Sequence, residues 1–147
     1  MEKKYMYMAI QEAEKAFKLN EVPVGCVIVK DNKVLAKTHN LKEKKRSVLC
    51  HAELIALYKA SKKNKNWRLN DCEMYITVKP CPMCSSAIKQ SRISKIYYGV
   101  DNKNNSISDE ILDNSDINKN VIVEEKVCES ECKKIIQEFF KNKRKNV

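Results

Sequence analysis

Two short segments narrow the possible folds of this chain more than any other part of it: Cys50-His51-Ala52-Glu53 and Pro80-Cys81-Pro82-Met83-Cys84. Each opens a stretch with helical spacing. After His51 the residues Leu54, Ile55, Leu57 and Tyr58 form an apolar stripe that ends near Ser61, and Cys81 to Gln90 reads as a short second helix. Cys81 and Cys84 are three positions apart, so both thiols reach one side of a first helical turn. His51 and Glu53 would point different ways inside a helix, but side chains lean toward the N-terminal end, so a site beyond the tip can receive both. Pro82 suits a first turn, where its missing N–H has no intrahelical partner to lose. The fold must therefore bring two helix tips to one place.

One imidazole and two thiols are zinc donors, and a catalytic zinc keeps three protein ligands plus an open position for water. His51, Cys81 and Cys84 are the expected ligands, for one Zn²⁺ per chain. Two thiolates offset the charge of the ion and weaken its pull on water. Helix N-termini donate N–H bonds and positive dipole to those thiolates and restore part of that pull. A fourth ligand at Glu53 would close the open position. Its better role is catalytic: it shuttles a proton from the water to a ring nitrogen of the substrate. Such a site attacks an amidine-like carbon and expels ammonia. A structural zinc is the competing reading, and a lone C-x-x-C would favour it. The upstream H-x-E and the proline at the junction favour catalysis.

The chain has seven cysteines, an odd number, and its first residues lack the apolar core of a secretory signal, which argues against a disulfide framework. Cys50 reads as packing, and Cys26, Cys72, Cys128 and Cys132 read as small buried apolar residues. With no apolar run long enough for a membrane span, the expectation is a soluble cytoplasmic protein without membrane association. A length of 147 residues suits one domain, 1–147.

The apolar spacing of Tyr5, Met8, Ala9, Ala13, Ala16 and Phe17 predicts a helix over Lys3 to Leu19. The β-branched run Gly25 to Val29, the turn residues Asp31-Asn32 and the stretch Lys33 to Thr38 predict a hairpin. His39 to Arg46 reads as a loop, Cys72 to Val78 and Lys95 to Val100 as strands, and Asp101 to Ser115 as a long loop with one turn near Glu110 to Leu112. Val121 to Val127 has strand composition, and Glu129 to Lys141 has helical spacing with a basic end. The order α, β, β, α, β, α, β, β, α implies an α/β fold, one mixed sheet covered by helices on both faces.

A wider set of segments then matters: Glu21-Val22-Pro23-Val24-Gly25, His39-Asn40, Trp67-Arg68-Leu69, Tyr75-Ile76-Thr77, Ser91-Arg92-Ile93 and Glu138-Phe139-Phe140-Lys141. With the two zinc-type motifs, they make the chain resemble the tRNA-specific adenosine deaminases of the cytidine/deoxycytidylate deaminase superfamily, whose H-x-E and P-C-x-x-C signature is a known one. The resemblance covers nearly the whole chain. It implies a three-layer α/β/α cytidine-deaminase-like fold with a central five-stranded mixed sheet, a homodimer, and zinc-dependent hydrolytic deamination of the wobble adenosine of tRNA anticodons to inosine. It further implies that Asn40 and the backbone N–H of Ala52 hold the target base and that Val24 lines the pocket. Turn formation is the competing role for Asn40, and core packing for Val24.

Charge agrees with an RNA partner. The formal net charge is +10, and the last fifteen residues carry six bases and one acid, a pattern suited to an anionic surface. Phe139, Phe140, Lys141, Lys143 and Arg144 are the expected RNA-contacting residues, with at least one of the two rings packing the last helix onto the domain. The alternative within enzymes is a small-molecule nucleobase deaminase acting on guanine or cytosine, which has no need of a basic tail. A zinc-stabilised RNA-binding protein without catalysis is a third reading. Three departures from the family pattern stand out: Lys79 where Glu is usual, Ser47-Val48-Leu49-Cys50 before the histidine, and Asn104-Asn105-Ser106-Ile107-Ser108 in place of a Gly/Ala-rich loop.

Overall fold

Successive residues of a strand point to opposite faces, so each strand contributes a different set of side chains to each side of one sheet. A computed structural model describes residues 1–101 and 121–145. Helix α1 (Lys3–Lys18) leads into the hairpin β1 (Gly25–Lys30) and β2 (Lys33–His39). Helix α2 (Ala52–Asn64), β3 (Cys72–Val78), α3 (Pro82–Ser91), β4 (Lys95–Val100), β5 (Ile122–Glu124) and α4 (Glu129–Lys145) follow. The sheet order is β2-β1-β3-β4-β5. Strand β1 runs antiparallel to β2 and β3, while β3, β4 and β5 are parallel, so the sheet is mixed as expected.

Cys26, Ile28, Met74, Ile76, Ile96 and Tyr98 face one way and pack with Ala52, Ala56 and Ala60 of α2 and Ile88 of α3. Val27, Val29, Tyr75 and Tyr97 face the other way, against Tyr5, Met6 and Ala9 of α1 and Cys132 of α4. Strands buried on both faces read as continuous apolar runs rather than alternating ones, which accounts for the composition of β1. The result is three layers, α/β/α.

The hairpin turns at Asp31 and Asn32, both in the left-handed region with φ 50° and 62°, as a two-residue turn matching strand twist requires. The two glycines sit where backbone and helix meet: a Cβ on Gly25 would overlap the Ala9 carbonyl oxygen, and one on Gly99 would overlap the Cys132 sulfur. Several element boundaries differ from expectation, and α2 runs to Asn64, three residues past the expected end near Ser61. β5 covers only Ile122–Glu124 of the expected 121–127 span, because Lys126 takes a left-handed φ of 61° and bends the chain into α4. α4 continues to Lys145, four residues past the expected end. The loop expected after Asp101, with its turn near Glu110, lies outside the described residues. Among the described residues no helix is long and apolar enough to cross a membrane.

Candidate active site

The parallel pairing of β3 and β4, with α3 between them in sequence, brings the tip of α3 beside the tip of α2. His51 is the N-cap of α2 and Cys81 the N-cap of α3, with Pro82 in the first turn. Their donor atoms converge. Nδ1 of His51 lies 3.4 Å from Sγ of Cys84 and 3.7 Å from Sγ of Cys81, and all three donor atoms lie within 4.8 Å of one another. A tetrahedral zinc with bonds of about 2.0–2.3 Å holds its donors roughly 3.5 Å apart, so this set fits the ion in both chemistry and spacing.

Burial and hydrogen bonding distribute protons unevenly over the cluster. The hydrogen bond from Cys84 and the contact with His51 outweigh burial at Cys81 and bring its thiol down to about 4. Cys84, which donates that bond and is buried beside Glu53, is pushed up. His51 is raised by its hydrogen bond to the Cys81 sulfur. Glu53 is 4% exposed, and burial raises its carboxyl to about 7, against the opposing pull of its backbone N–H and His51. An acid poised near 7 can both take and return a proton at neutral pH.

His51, Glu53 and Cys81 open onto a cavity of about 370 Å³ that is also lined by Ala52, Val24, Asn40 and Phe140, with Cys84 buried behind them. That volume lies in the range of small-ligand sites. Asn40 is nearly buried: its Nδ2 donates to the Val22 carbonyl at 3.3 Å, and its Oδ1 accepts the Lys42 N–H at 3.1 Å. It therefore braces the wall as a turn residue would and still faces the cavity, with one amide hydrogen and one acceptor lone pair to spare. Val24 packs on the core and lines the cavity at once. Ala52 is fully buried, and its carbonyl accepts the Thr38 hydroxyl at 2.7 Å, which ties the α2 tip to β2.

Residues 1–144 match the family described as MafB19-like deaminases. A tRNA-specific adenosine deaminase of Streptococcus pyogenes serotype M18 is 38% identical over 143 residues, which is 95% of this chain and 90% of that protein. The tRNA-specific adenosine deaminase of Bacillus subtilis is 35% identical over 144 residues, 96% of this chain and 89% of that one. The chain belongs to the tRNA-specific adenosine deaminase family. A solved structure from work on A-to-I editing by tRNA:A34 deaminases at the wobble position of transfer RNA superposes with a TM-score of 0.85 at 30% identity, covering 91% of this chain and 99% of that one. The cytidine-deaminase-like α/β fold expected from the sequence is therefore the fold of this family member.

Other expected residues divide. Phe140 is 44% exposed and lines the cavity, and Lys141, Lys143 and Arg144 are exposed on the same helix. Phe139 is not open to an RNA partner: it is 3% exposed and packs edge-on against Phe17 at 5.7 Å, closing α4 onto α1. Lys79 does not face solvent either. It is buried in the cavity wall, its ammonium 4.0 Å from an Asp101 carboxylate oxygen and 6.0 Å from the centre of the Tyr98 ring. Sequence reasoning missed Val22, Lys42, Val78, Val100, Asp101 and Ile136 as lining residues. Lys42 carried a signal, two positions after Asn40 at the start of a basic stretch.

Proposed function

We propose that this chain is a single zinc-dependent deaminase domain that hydrolyses the wobble adenosine of a tRNA anticodon to inosine in the cytoplasm. The observation that supports this best is the convergence of His51, Cys81 and Cys84 beside the buried carboxyl of Glu53, at a cavity sized for a base. The tRNA-specific names of relatives that match almost the full chain support the substrate. His51, Cys81 and Cys84 would hold the zinc, which when bound lowers the pKa of water and supplies a nucleophile near neutral pH.

Glu53 moves two protons in turn: it takes one from the attacking water and gives it to the ring nitrogen beside the carbon under attack, then takes the proton of the newly added hydroxyl and gives it to the amine, which leaves as ammonia as the C–N bond breaks. Asn40, through its spare amide groups, and the Ala52 N–H hold the base edge, and Val24 limits how far the ring can slide. An anticodon loop already presents unstacked bases, so extruding one into the cavity costs little. Phe140 at the cavity lining offers a stacking face for a neighbouring base, and Lys141, Lys143 and Arg144 offer phosphate contacts. Replacing these three basic residues by Gln weakens stem-loop binding and flattens its salt dependence; an unchanged salt slope would remove them from the RNA contact.

The functional test is mass spectrometry of an anticodon stem-loop incubated with zinc-loaded protein, which should show exchange of one amine for a carbonyl. Deamination of free guanine or cytosine, with the stem-loop untouched, would favour the small-molecule alternative. Stem-loop binding without turnover, unaffected by Glu53→Gln, would mark a zinc-stabilised RNA-binding protein. The working form is a homodimer, and the groove between α2 and α3 is its contact face. There Tyr58 and Trp67 are exposed, and Arg68 and Arg92 stack on the Trp67 ring at 4.4 and 5.7 Å.

A further inference from the structure

We infer that Lys42 takes an RNA backbone phosphate flanking the target nucleoside at the catalytic cavity, and that the buried carboxylate of Glu21 positions it there. The inference rests on the tRNA reading above. A base drawn into a cavity of about 370 Å³ leaves its ribose and phosphates outside, and those charges need a cation or water. Two lysines line this cavity. Lys79 is buried with its ammonium turned to Asp101 and Tyr98, whereas Lys42 is exposed and makes no ion pair among the described residues. Asp101 also lines the cavity and its carboxylate offsets the Lys79 charge at 4.0 Å, so Lys42 is the lining lysine whose charge faces an incoming phosphate.

The main chain around Lys42 is held at several points. Glu21 is 1% exposed, and its carboxylate accepts the N–H groups of Glu43 at 3.0 Å and Lys44 at 2.7 Å, across more than twenty residues of sequence. The Lys42 N–H donates to Asn40 Oδ1, and its carbonyl accepts the Ser47 N–H at 3.1 Å. The Leu41 N–H donates to the Cys50 carbonyl at 3.0 Å, just before His51. Charge-assisted bonds to a buried carboxylate are among the stronger ones. A lysine on a free loop would spend much of its phosphate attraction on ordering its own backbone. Glu21 removes that cost in advance and touches no substrate, so it is a positioning residue.

The test uses zinc-loaded full-length protein and an anticodon stem-loop, with kcat, KM and the salt dependence of KM measured for wild type, Lys42→Met, Lys42→Arg, Glu21→Gln and the Lys42→Met/Glu21→Gln double variant. Lys42→Met should raise KM about five- to tenfold with little change in kcat and flatten the log–log salt slope by about 0.7, the loss of one phosphate contact to a single strand. Lys42→Arg should restore the slope. Glu21→Gln should raise KM in the same direction, and the double variant should be no worse than Lys42→Met alone. Wild-type KM and slope in Lys42→Met would overturn the phosphate contact, and losses that multiply in the double variant would overturn the positioning role. A wild-type protein inert toward the stem-loop overturns the tRNA reading and this inference together, whereas an active wild type matched by Lys42→Met overturns the inference alone.

Discussion

Glu53 and Glu12 are both acids at 4% exposure, yet their surroundings give them opposite tasks. Burial without a full ion pair leaves Glu53 protonatable near neutral pH. Glu53→Gln keeps the shape and removes the shuttle, so zinc content should stay at one per chain while deamination falls by about two to four orders of magnitude; loss of zinc on metal analysis would instead make Glu53 a ligand. At Glu12 burial opposes ionisation, but hydrogen bonds from Lys15 at 2.6 Å and His39 at 2.9 Å outweigh it and hold the carboxyl below its ordinary value. A carboxyl lowered in the folded state stabilises the protein above its unfolded pKa, and that contribution is lost as pH falls through the folded value. Glu12→Gln should therefore cost about 1–2 kcal/mol at pH 7, a gap that closes as denaturation is followed to acid pH below about 4.5. Neither assignment was equally open to sequence reading. The H-x-E spacing marked Glu53, whereas Glu12 stood among the polar residues of an amphipathic helix, and only its burial against His39 separates it from the exposed Glu14 beside it.

Helices α2 and α3 end on Lys65 and Arg92, with φ 58° and 67°, in a conformation where a side chain costs about 1–2 kcal/mol and glycine costs nothing. The two glycines of the chain are in β1 and β4, where a Cβ cannot fit. Lys65→Gly should raise stability by about 0.5–1 kcal/mol, visible as a melting temperature higher by about 1–4 °C. Helix existence and the hairpin were legible because hydrophobic period and turn residues are local signals. The first helix still turned out rotated from its expected stripe: Met6 is buried and Met8 only partly so, with Glu12 inside the contact. Polarity alone could not show that a salt-bridged acid faces the sheet. The length of β5 was hidden for a similar reason. Its Val121-Ile122-Val123 run is followed by Glu124-Glu125-Lys126 before Val127, and the left-handed Lys126 turns the chain away before Val127 can pair.

Across the molecule, the sheet has helices on both faces, yet the α2–α3 side keeps a groove of about 1280 Å³ with exposed Tyr58 and Trp67. The proposed homodimer contact is tested at Trp67, the exposed ring in this groove. Trp67→Glu should convert a dimer to monomer in sedimentation or scattering while the monomer stays folded; a wild-type chain that is monomeric at every concentration would remove the dimer. The cluster of His51, Cys81 and Cys84, which could hold a metal ion, the acid Glu53 beside it and the alternation of elements could be read from residue order, because motif spacing, capping and hydrophobic period are properties of neighbouring residues. Which of Phe139 and Phe140 stays in solvent, which lysine is buried in the cavity wall and which carboxylate braces the loop before His51 depended on contacts between segments tens of residues apart. Burial and hydrogen-bond partnership are set by the packed chain, and residue type alone leaves a charged or aromatic side chain free to be surface, brace or site.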